Sequence, residues 1–81
     1  MTIKVEFYSV LRDITGCAEL EVPVPEGMTV GSLLEGLYEQ FPKLAEWNDR
    51  LLLAADLDYV ERSHVIRAGE IISVMPPVQG G

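Results

Sequence analysis

Thr29-Val30-Gly31-Ser32-Leu33-Leu34-Glu35-Gly36-Leu37-Tyr38-Glu39-Gln40-Phe41-Pro42 is the stretch that decides the fold. Val30, Leu33, Leu34, Leu37, Tyr38 and Phe41 recur at the spacing that lines one side of an α-helix, so the segment predicts one helix with one apolar stripe. Thr29 supplies an N-cap hydroxyl; the third position after it is Ser32 rather than an acid, so only half of a capping box is present. Pro42 disfavours helical geometry at Phe41 and sets the end. Gly31 and Gly36 each cost about 1 kcal/mol relative to alanine in a helix interior, which makes the helix depend on packing its stripe against a sheet.

The flanking segments supply that sheet. Upstream, Ile3-Lys4-Val5-Glu6-Phe7-Tyr8 puts Ile3, Val5 and Phe7 on one face and Lys4, Glu6 and Tyr8 on the other, the period of a half-buried strand. A polar turn around Arg12, Asp13 and Gly16 leads into Glu19-Leu20-Glu21-Val22-Pro23-Val24, which repeats the alternation and completes a hairpin. Pro23 has no ladder donor, so this strand is expected at a sheet edge. Downstream, Leu44, Trp47 and Leu51 read as one loose helical turn closing an end of the core, and Leu51-Leu52-Leu53-Ala54-Ala55 as a buried strand. Asp56-Leu57-Asp58 reads as a polar turn into Tyr59-Val60, and Arg67-Ala68-Gly69-Glu70 as a turn into a final strand, Ile71-Ile72-Ser73-Val74-Met75. Strand, strand, helix, strand, strand with a one-sided helix implies an α+β roll: a mixed sheet with one main helix across one face.

The composition agrees with a single small soluble domain. At 81 residues, 48% hydrophobic and 23% charged, the chain can bury only about 60% of its unfolded surface, too little for a deep enclosed cleft. Thirteen acidic against six basic residues give a net charge of −7, which repels nucleic acid and anionic membranes and favours a basic partner surface. The lone Cys17 cannot form an internal disulfide and has no Cys/His spacing for zinc. The N-terminal alternation is unlike a signal peptide, and no apolar run nears the roughly 20 residues of a membrane span, so a cytoplasmic protein is expected.

The chemistry is expected in the tail, Pro76-Pro77-Val78-Gln79-Gly80-Gly81, set off from a domain spanning residues 1–75. Consecutive prolines cannot join a ladder and favour polyproline II, so the tail should leave the fold as a stiff stalk. Its six residues reach up to about 20 Å. Two terminal glycines remove every side chain around the α-carboxylate, so a narrow channel can admit it. A carboxylate is a poor electrophile until ATP converts it to an acyl-adenylate. Sulfide or a persulfide can then leave a thiocarboxylate on the activated carbonyl, and an amine can leave an isopeptide. Cys17 lacks a nearby cation to activate it and reads as a small hydrophobe. His64 with Asp56, Asp58 and Glu61 reads as a solvated acidic hairpin, because the spacing lacks the further ligands of a calcium loop.

Lys4-Val5-Glu6-Phe7-Tyr8 with Leu11-Arg12, Leu52-Leu53-Ala54-Ala55 followed by Tyr59-Val60, and Gly69-Glu70-Ile71 running to the tail resemble the small, sulfur-carrier subunits of molybdopterin synthase. These belong to the ubiquitin-like sulfur carriers, and the resemblance implies their β-grasp fold. It further implies that an E1-like adenylating enzyme, using ATP and magnesium, activates Gly81 and that a sulfur donor protein converts it to a thiocarboxylate. The large subunit, paired with this one in a heterotetramer, would then take up the tail. Gly80 and Gly81 would carry the chemistry, Pro76, Pro77, Val78 and Gln79 would thread the channel, and sulfur would pass to cyclic pyranopterin phosphate. The chain would have no activity alone and bind no cofactor itself. Asp56 stands where many members have asparagine. Tyr8, Ile71 and Met75, on the face away from the helix, together with Tyr59 from the resemblance, form the expected partner surface. A ubiquitin-like modifier joined to lysines through Gly81, or a thiamine-type carrier, would share the adenylation step.

Overall fold

In the computed structural model, which describes residues 1–77, the long helix is α2, Val30–Gln40, one of two α-helices among the described residues. Its N-terminal donors at Val30, Gly31 and Ser32 are met. Thr29 Oγ1 accepts from the Ser32 N–H at 3.2 Å, while the Val30 and Gly31 N–H groups donate to the carbonyls of His64 and Arg62, each at 2.9 Å. The last of these contacts explains Gly31: a Cβ there would sit 3.3 Å from Arg62 Cβ and O. At the other end Phe41 donates to the Leu37 carbonyl and Pro42 stops the helix.

The helix lies on a five-stranded mixed sheet in the order β2-β1-β5-β3-β4. The strands are β1 (Thr2–Phe7), β2 (Glu19–Pro23), β3 (Leu52–Ala55), β4 (Asp58–Tyr59) and β5 (Ile71–Met75). β1 and β5 pair in parallel at the centre, Lys4 opposite Ile71 through Phe7 opposite Val74. Their inward residues Ile3, Val5, Phe7, Ile72 and Val74 meet Val30, Leu33, Leu34 and Leu37 of α2 in one core, closed by Leu11, Leu44 and Ile66. Burying one such leucine contributes about 2 kcal/mol. The edge position expected of β2 from Pro23 is observed.

Three connections differ from the sequence reading. The first is a short helix, α1 (Val10–Thr15), rather than a polar turn; it buries Leu11 completely and closes on Gly16 at φ 78. Six residues are too few for an apolar period to show, and a single buried leucine holds the turn. The stretch after α2 is a nine-residue 3-10 segment, Pro42–Arg50, longer than one turn. Asn48 ties it down, with its side-chain oxygen accepting from Tyr38 Oη and Arg62 and its carbonyl accepting from Arg62 as well. Asp58 and Tyr59 form a fifth strand, pairing with Ala55 and Ala54. Trp47 packs against the core beneath the Arg50 guanidinium, 4.4 Å from the ring centre.

A Cβ at Gly36, unlike Gly31, meets nothing within 4 Å. Gly36→Ala is therefore expected to raise unfolding stability by about 1 kcal/mol, and Gly31→Ala to give less than that or a loss. Thermal denaturation of the two variants checks this, and equal gains would contradict the close approach of Arg62 to the helix.

Candidate functional site: an open-face trough beside the stalk

β5 occupies the middle of the sheet, so the stalk that follows it starts from the centre of the domain. Met75 lies opposite Leu52, and Pro76 and Pro77 follow it, both half-buried. Because side chains alternate along β5, Ile72 and Val74 enter the core while Ile71, Ser73 and Met75 face the side that α2 leaves uncovered. Across that face Tyr8, Ala54, Asp56, Leu57, Tyr59, Ser73 and Met75 line a shallow trough. Small residues, Ala54 and Ser73, make the floor and are nearly inaccessible, whereas Tyr8 is 43% and Tyr59 73% exposed. Tyr8 is held where β1 ends: its N–H donates to the Val74 carbonyl and its hydroxyl to Glu6 Oε1 at 2.8 Å. A floor of small residues between two exposed aromatic rings is suited to receive an apolar side chain from another protein.

Of the expected partner residues, Tyr8, Tyr59 and Met75 meet in this trough. Ile71 shares their face but lies at the opposite end of β5 from Met75, outside the lining. Pro76 and Pro77 are placed directly after β5; Val78, Gln79, Gly80 and Gly81 lie outside the described residues. The sequence reading passed over Leu57, 97% exposed at the tip between β3 and β4. An apolar residue between two aspartates in a turn has nothing in its own hairpin to cover it, and that was the available signal.

Asp56 has a structural task at the rim. It adopts a left-handed conformation at φ 54, donates its N–H to the Ile71 carbonyl at 2.8 Å and accepts the Ile71 N–H on Oδ1 at 3.0 Å. Aspartate and asparagine tolerate this conformation and both carry the accepting oxygen. His64 is likewise engaged. Its Nε2 lies 3.0 Å from Glu70 Oε1, and that same oxygen accepts the Arg67 N–H at 2.8 Å. Among the described residues, no group of three or more His, Cys, Asp or Glu side chains is arranged to hold a metal. Cys17 is half-buried, with Sγ 3.7 Å from Thr15 Oγ1. None of the helices among the described residues is long and apolar enough to cross a membrane.

Five mixed strands gripped by one long helix, with the last strand at the centre, define the β-grasp fold of ubiquitin-like proteins. The chain belongs to the ThiS family, which it matches over residues 5–81. It is similar to the molybdopterin synthase sulfur carrier subunit of Arabidopsis thaliana, at 30% identity over 79 residues that span 98% of this chain and 82% of that protein. A Pyrococcus furiosus structure, described as a candidate molybdopterin converting factor, subunit 1, matches with a TM-score of 0.87 at 27% identity, covering 96% of this chain and 99% of that one. Small archaeal modifier protein 1 of Haloferax volcanii matches in fold with a TM-score of 0.86 at 21% identity, over 100% of both chains. The resemblance read from the sequence is thus borne out.

Two predictions follow from the turn contacts. Asp56→Asn is expected to retain the stability of the parent, and Asp56→Ala to lose about 2 kcal/mol through the left-handed backbone and the orphaned Ile71 N–H; urea unfolding of both checks the assignment. Burial pushes the Glu70 carboxyl pKa up, but the Arg67 N–H, the His64 ring and the charges of His64 and Arg67 outweigh it and hold the group below the ordinary 4.5. A lowered folded-state pKa stabilises fully above the unfolded value and is lost as pH falls through the folded one. The stability difference between parent and Glu70→Gln should therefore shrink as pH falls through and below the ordinary glutamate pKa; a difference that grows between about pH 5 and pH 3 would refute it.

Proposed function

We propose that this chain is the sulfur-carrier subunit of a molybdopterin synthase, and that Gly81 is the residue that carries the sulfur. One observation carries this reading: the sequence ends in a diglycine two residues after a Pro-Pro stalk that starts at the centre of the sheet, beside an exposed apolar trough, in a chain whose Arabidopsis relative is a sulfur carrier subunit. A trough at the root of the stalk lets a partner grip the domain and take in the tail together.

The carboxylate of Gly81 attacks the α-phosphate of ATP on an E1-like enzyme, releasing pyrophosphate and forming an acyl-adenylate. Sulfide then adds to the activated carbonyl and expels AMP, leaving a thiocarboxylate. If the donor is a protein persulfide, its terminal sulfur forms an acyl disulfide, and a second thiol must reduce that bond to free the thiocarboxylate. The ATP and magnesium belong to the activating enzyme. Val78, Gln79 and Gly80 present no charge and little bulk, so they can pass through a narrow channel in the large subunit, where the sulfur is transferred to cyclic pyranopterin phosphate. Tyr8, Tyr59 and Met75 form the docking surface, and the acidic side chains Glu6, Asp56 and Asp58 around it favour a basic rim on the partner.

Intact-mass analysis after incubation with an activating enzyme, ATP and a sulfide source is expected to show one oxygen exchanged for one sulfur. The change should localise to Gly81 and be absent from a chain lacking that residue. Met75→Glu should keep the fold by circular dichroism while weakening binding to the large subunit. An unmodified mass, or conjugates to lysines of other proteins in place of the thiocarboxylate, would overturn the sulfur-carrier reading.

A further inference from the structure

Far from the trough, on the helix side of the opposite sheet edge, Val22, Val24, Met28, Leu33, Gly36 and Leu37 line a second groove between β2 and α2. Val22 and Met28 are only half-buried there. Gly36 lies on its helical lip with open space above the Cα, so a residue that weakens the helix also keeps the groove clear. The strand beside it is an open edge. Val24 exchanges both backbone bonds with Met1, at 2.7 and 3.0 Å, and Phe7 donates to the Ala18 carbonyl at 2.8 Å. Antiparallel pairing repeats every second residue, so Leu20 and Val22 turn their backbone groups toward β1 while Glu19, Glu21 and Pro23 turn theirs outward. The outward row therefore offers two N–H donors and three carbonyls.

The charges decide what can pair there. Glu19 and Glu21 are exposed on the open face; Glu19 is 3.4 Å from Lys4, and Glu21 makes no ion pair among the described residues. Glu35 and Glu39 are exposed on α2, and no lysine or arginine lines the groove. A second copy of β2 would set glutamate beside glutamate, which is unfavourable, and Pro23 shortens the edge further. We infer that β2 is a docking edge for an extended basic segment of a partner protein, added as a sixth strand. Its lysines or arginines lie beside Glu19 and Glu21, and its alternate apolar residues enter the groove over Gly36. The trough and the stalk stay free while it is bound, so the domain can hold two partners at once. This inference does not depend on the sulfur chemistry.

The probe is the peptide acetyl-Lys-Val-Lys-Val-Lys-Val-amide, with acetyl-Glu-Val-Glu-Val-Glu-Val-amide as control, titrated into the full chain and followed by amide NMR. The basic peptide is expected to slow exchange of the Glu19 and Glu21 amide protons and to shift the resonances of Val22 and Gly36. Glu21→Lys should weaken it by about fivefold, the size of one cross-strand charge pair. Gly36→Leu should fill the groove and reduce affinity while its helix stays intact by circular dichroism, since leucine favours helix over glycine. Shifts centred on Tyr8 and Tyr59, equal binding of the acidic peptide, unchanged affinity in both variants, no binding, or self-association through β2 would each overturn it.

Discussion

The parallel pairing of β1 with β5 is the constraint on which the remaining structure depends. Parallel neighbours cannot be joined by a tight turn, so everything between Phe7 and Ile71 has to be accommodated as a connection around them. That requirement puts α2 across one face, sends β2 to one edge and the β3–β4 hairpin to the other, and leaves the second face of the sheet uncovered. It also joins residues from the two ends of the sequence, a non-local pairing that forms only after a large loss of chain entropy. Val5, Ile72 and Val74, all fully buried, repay that loss by sharing the α2 stripe.

One helix cannot cover a five-stranded sheet, and the uncovered face is where the candidate site lies. Its exposure is graded by residue size. Ala54 and Ser73 are too small to reach solvent, while Tyr8, Leu57 and Tyr59 stand above them. The turn contact of Asp56 with Ile71 fixes where Leu57 and Tyr59 stand relative to β5, so a backbone hydrogen bond at the rim sets the width of an aromatic trough. Fold and site thus share parts: β5 supplies Ile72 and Val74 to the core, Ser73 and Met75 to the trough, and the root of the stalk.

Much of this was legible in the residues because the physics is periodic. The α2 stripe, the alternation of β1, the edge position of β2 and the face shared by Tyr8, Ile71 and Met75 all come from spacings of about 3.6 or 2 residues. What escaped notice was non-periodic. α1 has one fully buried residue, Leu11, β4 has two residues, and the Asn48 ties to Tyr38 and Arg62 join positions 10 and 14 residues apart. Alternation places Ile71 on the right face but says nothing of its distance from Met75, which is why it was read into a surface whose lining it does not join. Sequence proximity grouped His64 with Asp56, Asp58 and Glu61, whereas its contact in the fold is Glu70, brought to it by a turn that closes only in three dimensions.

The central place of β5 has a mechanical side. A pull on Pro76 and Pro77 runs along the strand axis, so the hydrogen bonds to β1 and β3 are loaded in shear and resist together rather than peeling one after another. The same strand pulled across its axis would unzip from one end. The stalk is therefore anchored like a rope spliced into the middle of a cable, and force on the tail is borne by the whole sheet before any part of the domain gives way.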